Sequence, residues 1–262
     1  MFHESLDADD WAAMTAGAIR ETAGADGSVM VVPVGSIEQH GHHLPVATDT
    51  ILVDAVVHGA RDHLDDLPVL VTPPVWSGFS PHHLPFGGTL SLDFAHLQAV
   101  LEDLARTGLE NGFDAVVFVN GHGGNISLID AVVSTVGVDA DAEILGTTYF
   151  QLATDEIERL RDSEIGGMSH GGEFETSLVL ALRPDLVGDE RDAELWDEHY
   201  EWGGRDLLEG GPLSVYRSFD EYSESGAIGA PDLASAEKGE RFYEIVTEEL
   251  AAVLVAVHEH NR

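Results

Sequence analysis

The sequence predicts an α/β protein, a three-layer α/β/α sandwich built on a mainly parallel sheet. Three observations carry this. Short apolar runs alternate with longer amphipathic stretches along most of the 262 residues. Those stretches are long enough for crossover helices, so the strands read as parallel β-α-β units with helices on both sheet faces. The composition is 44% hydrophobic, enough core for a chain of this length, which buries about 70–75% of its unfolded surface.

Residues 28–35, SVMVVPVG, read as a buried strand. Residues 48–64 read as a helix with Asp49 placed to cap it. Residues 67–75 are strand-like up to Pro73 and Pro74, which cannot donate to a ladder. Residues 91–112 carry i, i+3, i+4 apolar spacing and end on Gly112, a helix stop. A strand at 114–119 runs into a glycine turn, and 126–137 reads as the next helix. Residues 142–150 read as a further strand, 171–182 as a helix stopping before Pro184, and 234–260 as a long C-terminal helix. No internal repeat is present. The polar, weakly periodic segment at about 185–225 reads as an excursion or lid of one domain spanning 1–262.

Composition excludes several classes. There is no cysteine, so disulfides and thiolate chemistry are excluded and any metal must be held by His, Asp, Glu or water. That fits a cytoplasmic location. No apolar run approaches the ~18 residues of a membrane span, and the acidic start MFHESLDADDW lacks the features of a signal peptide. Asp and Glu number 48 against 12 Lys and Arg, a net charge of −36 spread along the chain. This describes a folded protein with a carboxylate-coated, salt-adapted surface, because at molar salt the Debye length falls to ~3 Å and self-repulsion is screened. The same charge argues against nucleic acid and anionic membranes as partners and leaves a small-molecule substrate.

Ligands of parallel α/β sheets sit outside the carboxyl ends of strands, and two polar clusters fall there. GSIEQHGHHLPVATD, residues 35–49, follows the first strand. Glu38 and His40 are two apart and project to one side of an extended segment, toward one ion. Asp49 closes the stretch at a helix start, where a carboxylate accepts backbone amides or bridges metals. His42 and His43 read as surface or wall residues. Carboxylate and imidazole together suit Zn²⁺, Mn²⁺ or Fe²⁺. NGHGGN, residues 120–125, places His122 among glycines that allow close backbone approach; it matches neither a P-loop nor a dinucleotide fingerprint. SHGGEFETS, residues 169–177, puts His170 at a helix start with Glu173 and Glu175 in the first turns, where acids also complement the helix dipole. His82 and His83 lie in a loop of aromatics and glycines, SGFSPHHLPFGGTLSL.

In this order and spacing, GSIEQHGHHLPVATD, FGGTLSL, NGHGGN and HGGEFETS resemble the creatininase (creatinine amidohydrolase) family, over about residues 29–182. His42 and Gly87 stand where that family usually and often has proline. The resemblance implies a three-layer α/β fold and two divalent ions per subunit, Zn, Mn or Fe. It makes Glu38, His40, Asp49 and His122 ligands, with Asp49 the bridge, and His170 the catalytic histidine. Creatininases proper take a further ligand two residues after the NGH histidine. That position is Gly124 here, so Glu175 is the substitute, as in relatives with the glycine-rich form. His83 is expected to line the pocket and hold substrate polar groups. Closed homo-oligomers, often hexamers, are the family habit.

The expected function is therefore a metal-dependent amidohydrolase cleaving a non-peptide C–N bond, a cyclic amide or formamide, in a salt-adapted, haloarchaeal member. Relatives with NGHGGN include an archaeal formylamino-pyrimidine nucleotide deformylase of riboflavin and deazaflavin synthesis, which is the alternative activity, and a peptidase of mycofactocin maturation. A metal- or nucleotide-binding module without turnover would show loss of a ligand or of His170; none is lost.

Overall fold

The computed structural model describes residues 10–196 and 200–262. The first nine residues of the acidic start, and residues 197–199 of the polar excursion, lie outside the described residues. Four strands, β1 (Val29–Val34), β2 (Val69–Val71), β3 (Ala115–Asn120) and β4 (Glu143–Thr148), form one parallel sheet in the order β2-β1-β3-β4. The longer helices are α1 (Ala16–Ala23), α2 (Thr48–Arg61), α3 (Phe94–Asn111), α4 (Ile126–Gly137), α5 (Thr154–Leu160), α6 (Glu173–Leu182) and α7 (Ala236–Asn261).

Strand side chains alternate between two cores. Val29, Val31, Val117 and Val119 pack with Leu52 and Val53 of α2, Phe174 of α6 and Phe242 of α7. Met30, Val32, Val116 and Phe118 pack with Ile19 of α1, Leu97 of α3 and Leu128 of α4. Both strand faces are thus buried, which is why the runs are continuously apolar. These are the three layers expected. Among the described residues no helix is long and apolar enough to cross a membrane.

Local chemistry explains most boundaries. Asp93 accepts from Ala95 N at 3.0 Å to start α3, and Gly112 ends it at φ 106°. Ser235 starts α7 by accepting from Lys238 N. One cap is corrected. Helix α2 begins after Ala47 with no side-chain cap, and Asp49 sits inside its first turn, facing a buried cluster instead. Strand β2 is also shorter than read, ending two residues before Pro73. Helices α1 and α5 are eight and seven residues long, too short for a clear apolar period.

The topology places the site. From β1 the chain adds β2 on one side, then crosses to add β3 on the other. Loops leaving β1 and β3 therefore diverge, and Val34 and Asn120, the last residues of these strands, are register partners. That is a switch-point crevice. The exit from β1 requires glycine: a Cβ on Gly35 would stand 2.5 Å from Thr50 Oγ1 and 2.6 Å from Thr50 Cα. Close approach there lets the first turn of α2, and Asp49 with it, fold over the strand end.

Candidate active site

Three segments meet at this crevice: the loop after β1, the turn after β3 and the start of α6. Asp49 is their common point. Its Oδ1 lies 3.1 Å from His40 Nε2 and its Oδ2 3.1 Å from His122 Nδ1. Glu38 Oε2 is also 3.1 Å from His122 Nδ1, and Glu175 Oε2 is 3.9 Å from His40 Nε2. Two groups of close donor atoms result, Glu38–Asp49–His122 and His40–Asp49–Glu175, sharing Asp49. A third joins Glu38, His40 and His170. The i, i+2 pair is thus split: Glu38 and His40 flank Asp49 from opposite sides as well as meeting at His170. All of these side chains are buried.

The rings are held by carbonyls. His40 Nδ1 is 3.1 Å from Glu38 O, His122 Nε2 is 3.2 Å from Phe79 O, and His170 Nε2 is 2.6 Å from Gln39 O. A carbonyl only accepts, so each of those nitrogens donates and the other ring nitrogen of the neutral form carries a lone pair. The lone pairs then face carboxylates: His40 toward Asp49, His122 toward Glu38 and Asp49, and His170 Nδ1 toward Glu38 Oε1 at 3.6 Å. Such an array calls for protons or cations at its centre.

The charge balance makes the same demand. The ion-pair partners of Glu38, Asp49 and Glu175 are histidines throughout, with no Lys or Arg among them in the described residues. Burial of three carboxylates without a fixed cation is costly. The protein without metal compensates by shifting protons. Burial pushes His40 down, but Asp49 outweighs it and raises the ring to about 9. His122 is raised well above its usual value, burial being outweighed by Glu38 and Asp49. Burial raises the Glu175 carboxyl to about 7 against the pull of His40. Glu38 is held well below the usual carboxylate range because His122 and His83 outweigh its burial. His170 goes the other way: burial, then repulsion from His40 and His83, holds it well below its usual value. The donor set fits divalent ions bound by oxygen and nitrogen.

These groups open on a cavity of about 590 Å³. Glu38, Asp49, His83, His122, His170 and Glu175 line it, while His40 lies beneath, fully buried. The amide nitrogen of Gln39 is 2.8 Å from His83 Nδ1, which places the His83 proton on Nε2; that atom is buried, has no hydrogen-bond partner and stands 3.1 Å from Glu38 Oε1. The excursion supplies the opposite wall. The Phe219 ring packs 4.3 Å from His83 and 5.2 Å from His170. His42 is exposed near Glu190, and His43 is buried away from the cavity against Gly171 O and Thr176 Oγ1.

Sequence reasoning missed Ser80, which donates to Glu38 Oε2 at 2.5 Å, and Gln39, whose side chain reaches His83 and Gly226 O. Gln39 and Ser80 both lie inside quoted clusters, residues 35–49 and 77–92, and were available by type; Phe219 sits in the polar excursion, which has no periodic signal. Gly124 has a physical reason. A Cβ there would meet His122 Nε2 at 2.4 Å and Phe79 O at 2.5 Å, so this position admits no side chain, while Glu175 approaches His40 from α6.

Residues 12–254 match the family model described as creatinine amidohydrolase. The mycofactocin precursor peptide peptidase of Mycolicibacterium smegmatis is 33% identical over 219 residues, covering 82% of this chain and 79% of that one. The creatinine amidohydrolase of Pseudomonas putida is 29% identical over 248 residues, covering 85% and 87%. A solved manganese creatininase superposes with a TM-score of 0.80 at 27% identity, covering 95% of this chain and 98% of that one. With its donor cluster at the switch point of a parallel sheet and a match across nearly its whole length, the chain belongs to the creatininase family of amidohydrolases.

Proposed function

We propose that this chain is a metal-dependent amidohydrolase that cleaves a non-peptide C–N bond, a cyclic amide or a formamide. One observation carries the reading: two buried donor groups share Asp49, and among the described residues no Lys or Arg pairs with their carboxylates. Glu38, Asp49 and His122 would hold one divalent ion and His40, Asp49 and Glu175 a second, with Zn, Mn or Fe suited to the donors. Bound ions supply a Lewis acid for the carbonyl and a water that ionises near neutral pH. His170 takes the proton of the attacking water at Nδ1 and returns it to the leaving nitrogen. His83 donates from Nε2 to a substrate oxygen. Phe219 and the segment around it act as a lid that keeps bulk water from the reacting centre. The carboxylate coat reads as adaptation to high salt in a cytoplasmic homo-oligomer.

The relative at 33% identity is named a peptidase, which favours a peptide as the second reading. The test is purified protein with metal analysis, assayed on creatinine, a formylamino-pyrimidine nucleotide and short peptides. Hydrolysis of either non-peptide compound, lost on chelation and restored by Mn²⁺, Zn²⁺ or Fe²⁺, is the expected result. Cleavage of peptides alone transfers the assignment to the second reading, and full activity without metal defeats both.

A further inference from the structure

Among the described residues Arg217 is the one Lys or Arg lining the cavity. In a chain with 12 basic and 48 acidic residues, an arginine lining the substrate cavity needs a reason. Phe219, two residues later, packs on His83 and His170. That contact fixes the segment over the site, so Arg217 and Phe219 enter the same cavity.

The guanidinium is held but not satisfied. It stacks over the Tyr222 ring at 5.9 Å. Its Nη1 is 3.8 Å from Glu221 Oε2, a loose contact with a carboxylate that is 55% exposed. Its Nε is buried with no hydrogen-bond partner. The other acid on this wall, Asp206, is already neutralised. Arg161 pairs with it, and the amides of Gly166, Leu208 and Glu209 donate to it. Arg217 therefore does not serve Asp206.

We propose that Arg217 recognises an anionic group, carboxylate or phosphate, carried by the substrate on the side away from the scissile C–N bond. The inference rests on the reading that this cavity holds an amide or formamide substrate. A planar guanidinium pairs with either oxyanion through parallel N–H bonds, and charge-assisted bonds of this kind are stronger than neutral ones. The setting gives the residue a task. A net charge of −36 repels an anionic substrate, and a partly buried cation is screened less by salt than the exposed carboxylates are. A merely structural Arg217, clamping Tyr222 and Glu221, predicts the same loss for every ligand when it is replaced.

The experiment uses the metal-loaded full chain and three probes of similar size: N-formylglycine, N-formylaminomethylphosphonate and the neutral N-formylglycinamide. Calorimetry gives Kd, and turnover gives kcat/KM. Wild type should bind at least one anionic probe about tenfold or more tighter than the neutral one. Arg217→Gln should collapse that ratio toward unity with metal content retained, and Arg217→Lys should restore part of it. The probe preferred separates carboxylate from phosphate as the source. A wild type without preference, or a ratio unchanged in Arg217→Gln, or an equal loss for all three probes, overturns the proposal. A preference that Arg217→Gln removes, in a protein that hydrolyses none of the probes, upholds the anion site and counts against the formamide reading alone.

Discussion

Asp49 Oδ2 and His122 Nδ1 lie 3.1 Å apart, both residues buried, yet that oxygen has no hydrogen-bond partner. The His122 proton is committed to Phe79 O through Nε2. In the neutral ring Nδ1 then carries a lone pair, so nitrogen and oxygen face a shared point that a metal ion or, in the metal-free protein, a second ring proton would occupy. His40 Nε2 meets the other oxygen of Asp49 at 3.1 Å, within hydrogen-bond reach. Asp49→Ala should consequently lower the occupancy of both ions, and turnover should fall in step with metal content. Elemental analysis beside an activity assay checks this; a variant that keeps both ions contradicts the bridging role.

His170→Ala should behave differently. Its Nδ1 faces Glu38 Oε1 at 3.6 Å, and the ring is kept neutral by burial and by His40 and His83. A neutral imidazole at that place suits proton transfer. Replacement should leave metal content intact and reduce kcat by roughly 10²–10⁴-fold. Because His170 also shares a donor group with Glu38 and His40, loss of an ion in this variant would make it a ligand. Near-normal turnover would remove it from the mechanism.

Gly124 offers a test on the backbone. The Cβ of Gly124→Ala would collide with His122 Nε2 and Phe79 O, the two ends of the hydrogen bond that orients His122. Disturbing the bond behind a metal-binding histidine typically costs about 10–100-fold in metal affinity. Gly123→Ala is the matched control, since a Cβ there meets nothing within 4 Å. Competitive titration with a metal indicator should weaken for the first variant and not the second; equal behaviour of the two refutes the argument.

The layers and the position of the site were legible because both depend on periodicity and topology. Continuous apolar runs such as 29–34 mark doubly covered strands, and the polar clusters follow two of them directly. Glu38, His40 and His122 were singled out by residue type and spacing and Glu175 by the family resemblance, and the structure gathers them with Asp49. What stayed hidden depends on contacts between distant segments. Asp49 looked like a cap because its position in the chain resembles one; only the fold of α2 over Gly35 turns it inward. Ser80 reaches Glu38 across 42 positions, and Arg217 and Phe219 enter the cavity from a segment without period. No local pattern reports such meetings.

Salt should matter to the fold. Acidic side chains are spread over the surface with few cations to offset them, and their repulsion is unscreened in dilute buffer. Tm should rise between dilute buffer and molar KCl. An unchanged Tm over that range contradicts the reading of the charge as salt adaptation.

Metal uptake should release protons, and the effect has a definite sign. In the metal-free protein Asp49 raises His40 from 6.5 to about 9 in spite of burial, and burial raises Glu175 from 4.5 to about 7. A group whose folded value is raised stabilises the fold fully below its unfolded value and loses that contribution as pH rises through the folded one. For Glu175 the loss runs from 4.5 to about 7, and for His40 from 6.5 to about 9. His83 and His170, held below their usual value, stay neutral at the upper end of this range and add no slope there. The metal-free protein should thus weaken as pH climbs from about 7 to about 9. Metal affinity should climb over the same window, because the ligands must shed those protons to bind. The gap in Tm between metal-loaded and metal-free protein should widen with pH, and calorimetry in buffers of different ionisation enthalpy should register the released protons. A gap that narrows between these pH values, or binding without proton release, would show that His40 and Glu175 do not hold the metal.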